Sequence, residues 1–380
     1  MDLALQPEHF RFHEELVRYL NSIDCEAAHL EYEEDPYRIR DAGKAFLRRL
    51  GADGWLGIDW PVESGGRGES SIYQWLFLEE LSYRGLPWGG LTTTSIGPVI
   101  AKMGTTQQQA EFLTPILRGE LLIAVGYSEA DAGTDLAALR TRAVPDGDGY
   151  VISGAKLWTT TADTCTHVWL AARTGSVESR HRGVSIFLLP IDTPGITVRP
   201  IYTQGGERTN AVFYDEVRVG GSARIGQENR GWDAIVMQLN LERVFAHGDL
   251  RRELDRIVAW ARETGALDSD ELVRMTLARL AAELEVARLF SLRAALMIDE
   301  GRIPEAEASM GKVWFSELKQ RIALECLDLL GPTGQFRGEA APLGGQLERL
   351  YRASTVLKFA GGTNELQRDL IAARGLGLPR

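Results

Sequence analysis

Residues 124–135, AVGYSEADAGTD, are followed after a short strand-like interval by residues 152–160, ISGAKLWTT, and these two stretches decide how the chain reads. In the first, Ser128, Gly133 and Thr134 bring hydroxyls and unblocked backbone N–H groups into a turn-rich segment. In the second, the pattern predicts a strand on which Trp158 and Thr160 point to the same face, one to stack and one to hydrogen-bond. Either half alone reads equally as a β-hairpin with a Gly-containing loop and a core Trp. Together they describe the polar rim and the covering face of a flat heterocycle that carries phosphates, and a flavin is the group that fits.

Outward from this centre the hydrophobic period changes. Residues 7–119 are helical in pattern: FRFHEELVRYL, KAFLRRLGADGW, YQWLFLEELSYRG and QQQAEFLTPILRG put apolar residues at three- and four-residue spacings. From 122 to about 218 the runs turn β-branched and alternating, as in HVWLAART, GVSIFLLPI, GITVRPI and TNAVFYDEVRV, with Gly, Pro and Asp turns between them. Long helical patterns with wide apolar stripes then return, among them WDAIVMQLNLERVFAHG and LVRMTLARLAAELEVARLFSLRAALMIDEG. The expectation is an α+β multidomain chain: a helical domain over 1–121, a β-barrel or sandwich-like domain over 122–231, and a helical bundle over 232–380.

Composition narrows the class of function. The 380 residues are 44% hydrophobic and 25% charged, ample for a large core. A net charge of -11 argues against a nucleic-acid partner, although one basic patch for a phosphorylated small molecule is compatible with it. Cys25, Cys165 and Cys326 are odd in number and outside any CxxC spacing, so neither a disulfide framework nor a metal site is expected. No apolar run approaches the roughly 20 residues that span a bilayer, and the opening MDLALQPEHFRFHEEL reads as an acidic amphipathic helix rather than a targeting peptide. A cytoplasmic enzyme with no membrane partner is the expectation.

The two central stretches resemble, in order, spacing and wording, the flavin-binding signatures of the acyl-CoA dehydrogenase family. The resemblance covers nearly the whole chain, through WLGIDWPVESGGRG near the start, GWDAIVMQLNLER after the middle and KFAGGTNELQRDLIAARGLGLPR at the end. The closing phrase looks most like the actinobacterial branch that handles fatty, branched and steroid side-chain thioesters. It implies an N-terminal helical domain, a middle β domain and a C-terminal four-helix bundle, with FAD as cofactor. It further implies oxidation of an acyl-CoA to a trans-2-enoyl-CoA, in which a base removes the α-proton while the β-hydrogen leaves as hydride to the flavin N5. The implied partners are an acyl-CoA or acyl-carrier-protein thioester as substrate, an electron-transfer flavoprotein or similar acceptor, and further subunits in a homodimer, homotetramer or α2β2 heterotetramer. The same likeness leaves open a subunit that completes a flavin or CoA pocket on another chain, or a flavin oxidase or monooxygenase on this fold.

A C–H beside a thioester is a weak acid, so the chemistry implied here needs a carboxylate in dry surroundings and donors for the developing oxygen charge. The family offers two positions for that carboxylate. One, just before the Gly-Thr of AGGTNE, is Gly361 here; the other, before the Arg of LNLER, is Glu242. The resemblance therefore implies Glu242 as the base, on a helical face shared with Leu239 and Ala246, whereas the local sequence alone reads Glu242 and Arg243 as a solvated pair. Gly361 leaves room for a bulky acyl group, and its N–H, with a ribityl hydroxyl of FAD, is implied to hold the thioester oxygen; it also reads as a helix stop. By the same resemblance Tyr127, Ser128, Gly133 and Thr134 meet the isoalloxazine or the CoA side, and Trp158, Thr159 and Thr160 cover the flavin. Thr134 and Arg243 line the substrate pocket, and Thr363 and Glu365 meet the adenosine diphosphate part; Thr363 reads also as a helix N-cap. Ala130 departs from the usual Pro of the SEPxAG motif, and Asp131 adds a negative charge beside it.

Overall fold

The least polar runs of the sequence become strands buried on both faces. The computed structural model describes residues 3–242, 246–338 and 340–379. Eight strands form one mixed sheet: β1 (Ile123–Gly126), β2 (Arg142–Asp146), β3 (Gly149–Lys156), β4 (His167–Arg173), β5 (Val184–Pro190), β6 (Ile196–Tyr202), β7 (Arg208–Gly220) and β8 (Arg224–Ile225). The order is β6-β7-β3-β2-β4-β5-β8, with β1 alongside β4 in parallel. Along β4, Val168, Leu170 and Ala172 enter the apolar cluster shared with the first helices, while Trp169 and Ala171 enter the cluster on the opposite face. Strand β5 does the same, with Phe187 and Leu189 to one side and Ile186 and Leu188 to the other. A period of two with both faces apolar is what HVWLAART and SIFLLPI encode, since neither face of these strands meets water.

Among the described residues six α-helices precede the sheet: α1 (Pro7–Ser22), α2 (Glu26–Glu34), α3 (Asp41–Ala52), α4 (Ser71–Arg84), α5 (Gly97–Met103) and α6 (Thr106–Leu117). Phe12, Leu16 and Leu20 of α1 and Leu47 and Leu50 of α3 pack with the first sheet face, and Val99, Ile100, Phe112 and Ile116 of α5 and α6 pack with the second. A single π-helical turn, Thr92–Ile96, leads into α5.

After the sheet come α7 (Gly231–Glu242), α8 (Gly248–Glu263), α9 (Ala266–Ser269), α10 (Glu271–Asp299), α11 (Glu305–Leu330), α12 (Gln346–Ser354) and α13 (Asn364–Leu370). Helix α7 stays against the sheet: a Cβ on Gly231 would lie 2.7 Å from the Ser185 backbone, so only glycine lets the helix start this close to β5. Helices α8, α10, α11 and α12 instead share a separate core built on Leu254, Leu280, Leu284, Leu318, Ile322 and Leu347. This is the bundle. Among the described residues no helix is long and apolar enough to cross a membrane.

Candidate active site

The loop after β1 and the loop after β3 lie together, and a buried ion pair joins them. Lys156, wholly buried as the last residue of β3, donates from Nζ to Glu129 Oε1 at 2.7 Å and to the Tyr127 carbonyl at 3.0 Å. The Glu129 carboxylate also accepts the backbone N–H groups of Arg140 (2.7 Å) and Thr141 (2.9 Å), which ties the far end of the 128–139 turn to its start. Burial raises the Glu129 carboxyl, but the Lys156 charge and these bonds outweigh it and hold the group below the usual carboxylate range. Burial pushes the Lys156 ammonium down to about 8 against the pull of Glu129. Both residues stand inside the quoted stretches, and a Glu and a Lys on adjoining apolar segments were the signal for the pair. Lys156→Met would leave Glu129 without its counter-charge. It is expected to cost roughly 3 kcal/mol of stability, read by urea unfolding of the purified protein.

Above this pair the structure corrects the strand expected through Trp158. Strand β3 ends at Lys156, and Trp158 lies in the following loop at φ 62, with Thr161 at φ 66. A left-handed Trp costs roughly 1–3 kcal/mol and persists only where neighbours enforce it. Here the Thr159 N–H donates to the Asn210 carbonyl at 2.9 Å, while Asn210 Nδ2 returns a bond to the Thr159 carbonyl at 3.1 Å. Trp158 is left 57% exposed, Thr159 is fully buried, and Thr160 meets Thr209 through their hydroxyls at 3.2 Å. The buried Thr159 hydroxyl has no partner among the described residues. Ser128 holds the Leu157 N–H through its carbonyl at 2.8 Å. Gly133 and Thr134 are exposed at the rim, and a Cβ on Gly133 would meet nothing within 4 Å. An enforced exposed indole and an orphaned hydroxyl, with an open glycine turn in the adjoining loop, fit a flat, polar-edged cofactor.

The second half of the site is the end of α7. Glu242 is partly buried, and Gln238 Nε2 donates to its Oε2 at 2.9 Å. Tyr127, buried just past β1, accepts a bond from Trp169 Nε1 at 2.9 Å. Its phenol is raised well above the ordinary range, chiefly by burial and further by the Glu242 charge. Ala246 lies beyond α7 and is not part of a helical face with Leu239 and Glu242 as the spacing suggested; the last described residue of that helix is Glu242. Arg243, expected to line the substrate pocket, falls outside the described residues.

Opposite Glu242 stands the loop that precedes α13. Gly361 sits at φ 65, and a Cβ built on it would lie 3.6 Å from Glu242 Oε1. This loop is pinned by Lys312, a buried residue of α11, whose Nζ donates to the Gly362 carbonyl at 2.8 Å and to Asn364 Oδ1 at 2.6 Å. Gln367 Nε2 reaches the Gly361 carbonyl at 3.4 Å. Thr363 is the N-cap of α13, its hydroxyl accepting the Leu366 N–H at 3.2 Å, and Glu365 is exposed beside it. The structure thus brings Tyr127, Glu242 and Gly361 to one place and Trp158, Thr159 and Thr160 to one ledge. Gln238 and Lys312 went unread in the sequence; an amide four residues before Glu242 was the available sign for the first, and nothing local marked the second.

With this geometry in place, comparison with known proteins is direct. Residues 8–120, 124–217 and 229–376 match the N-terminal, middle and C-terminal domains of acyl-CoA dehydrogenase. Acyl-CoA dehydrogenase FadE26 of Mycobacterium tuberculosis is 39% identical over 360 residues, covering 90% of each chain. A solved structure named Tcur3481-Tcur3483 steroid ACAD superposes with a TM-score of 0.93 at 38% identity over 100% of both chains. The ChsE4-ChsE5 complex from Mycobacterium tuberculosis gives 0.90 at 36% identity, again over 100% of both. The chain belongs to the acyl-CoA dehydrogenase family of flavin-dependent oxidoreductases. Its three-part architecture, helices then sheet then bundle, is the family's, and its class of reaction is the dehydrogenation of an acyl-CoA.

Proposed function

We propose that this chain binds FAD on the ledge formed by Tyr127, Ser128, Gly133, Thr134, Trp158, Thr159 and Thr160, with Thr363 and Glu365 toward the diphosphate, and that Glu242 takes the α-proton of a bulky, ring-bearing acyl-CoA. One observation carries the reading. A Cβ at Gly361 would stand 3.6 Å from Glu242 Oε1, so the two chain positions from which the family supplies its base converge on one point, and only one of them holds a carboxylate.

When bound, FAD supplies the two-electron acceptor for the hydrogen lost from Cβ of the acyl chain. The protein's own work is to place and ionise the base, to exclude water and to accommodate the acyl group. Glu242 is half-buried at the end of α7 beside the Gly361 loop, where a bound acyl chain would displace the water that competes with it for a proton. Gly361, with no side chain, leaves the acyl path open beside that carboxylate, and its N–H is the donor assigned to the thioester oxygen. A ring-bearing acyl group is chosen because the Tcur3481-Tcur3483 neighbour is named a steroid ACAD. That neighbour and the ChsE4-ChsE5 complex each pair two chains, which supports an assembly with a second, homologous subunit here.

Anaerobic titration against short linear, long linear, branched and steroid-like acyl-CoAs tests the proposal, with the protein purified alone and co-expressed with a homologous chain. A yellow protein bleached fully by the ring-bearing thioesters and weakly by the short ones is expected. A yellow protein that no acyl-CoA bleaches would overturn the reading.

A further inference from the structure

Gln238 stands one helical turn before Glu242 on α7 and is completely buried. Its amide nitrogen donates twice, to Glu242 Oε2 at 2.9 Å and to Ser95 Oγ at 3.2 Å. Ser95 belongs to the π-helical turn Thr92–Ile96, and its hydroxyl donates to the Leu91 carbonyl at 3.0 Å. That last bond fixes the direction of the whole chain. With its hydrogen committed to Leu91, Ser95 meets Gln238 as an acceptor, and the carboxylate on the other side is an acceptor too. The reversed amide would set its oxygen against two acceptors, so the nitrogen must face both. The consequence is visible at the other atom: Gln238 Oε1 is buried with no partner among the described residues. An unpaired buried acceptor is costly, and it is tolerated here because the two bonds of the nitrogen dictate the orientation.

The two oxygens of Glu242 meet different neighbours. Oε2 is held by Gln238, and Oε1 is the one 3.6 Å from the Cβ position of Gly361. We propose that Gln238, anchored through Ser95 to the π-helical turn, is a positioning residue that clamps Glu242 Oε2 and thereby presents Oε1 to the substrate space beside Gly361. The proposal rests on Glu242 being the base, as argued above. A donor aimed at the ionised carboxylate also favours that form against burial. Tyr127, the neighbouring phenol coupled to Glu242, stays neutral because burial raises it, so it brings no opposing charge.

Gln238→Met keeps the side chain's length and packing and removes the donor. In the flavin-loaded protein, kcat/KM at neutral pH is expected to fall roughly tenfold, with the acid limb of its pH profile moved up by about one unit and flavin content unchanged. Ser95→Ala, which frees the amide without removing it, is expected to give a smaller shift in the same direction. A readout independent of turnover is the Glu242 carboxyl band in infrared difference spectra, assigned by its loss in Glu242→Gln; it should titrate about one unit higher in Gln238→Met. An unchanged pH profile and an unchanged band in folded Gln238→Met would overturn the clamp and leave Glu242 as the base. Undiminished turnover by Glu242→Gln would overturn the base and the clamp together. If Gln238→Met fails to fold, Ser95→Ala decides, since no shift there also overturns the clamp.

Discussion

A Glu242→Gln variant is expected to purify with its full complement of flavin and to lose about 10²–10⁴-fold in the rate at which substrate bleaches it. The two halves of this expectation come from different parts of the site. Flavin retention follows from the proposed site, since the ledge of Trp158, Thr159 and Thr160 is fixed by Asn210 and by the Lys156–Glu129 pair, neither of which involves α7. The loss follows because glutamine keeps the shape of the side chain, and an acceptor for Gln238 Nε2, but has no basic oxygen to take a proton. Rapid mixing of oxidised protein with acyl-CoA under anaerobic conditions measures the rate, and binding of the acyl-CoA, read by its perturbation of the flavin spectrum, serves as the control for fold. A variant that bleaches at the wild-type rate would remove Glu242 from the mechanism.

How much of this was legible beforehand depended on the range of the interaction concerned. Strands β4 and β5 were readable because their burial on both faces is written into consecutive residues, Val168 to Ala172 and Val184 to Leu189, with no reference to the partner helices. The order of helices, strands and helices followed in the same way from local period. Trp158 was misplaced onto a strand because its left-handed backbone is imposed from β7, through Asn210, and no local pattern records that constraint. The face proposed for Glu242 failed at Ala246, which is not helical although the periodic pattern of the sequence runs on to it. Glu242 and Gly361 meet across 119 positions of chain, and Ser95 and Gln238 across 143, so neither encounter has a signature in a window of sequence. The family register supplied the first encounter, and only the fold supplies the second.

The same convergence makes Gly361 the position with the sharpest expected gain and loss. Gly361→Glu alone would set a second carboxylate against the first, with its Cβ 3.6 Å from Glu242 Oε1 and its backbone held at φ 65, where a side chain is strained by roughly 1–2 kcal/mol. Two carboxyls this close do not both ionise, so one pKa rises and the remaining base is poorly matched to neutral pH. The new side chain would also fill the space proposed for a ring-bearing acyl group. Activity on such a substrate is therefore expected to fall by about 10²-fold or more. Moving the carboxylate rather than adding one gives a different result. The double variant Glu242→Gly with Gly361→Glu places a single base at the other position the family uses, aimed at the same point from the opposite wall. It is expected to regain activity on short linear acyl-CoAs at least tenfold above Glu242→Gly alone, while the ring-bearing thioesters stay excluded by the bulk at 361. Comparing kcat/KM for the short and the ring-bearing substrates across the single and double variants measures this exchange. A folded, flavin-loaded double variant with no activity on any chain length would show that the two positions do not serve one reacting centre in this protein, and the assignment of Glu242 from that convergence would fall with it.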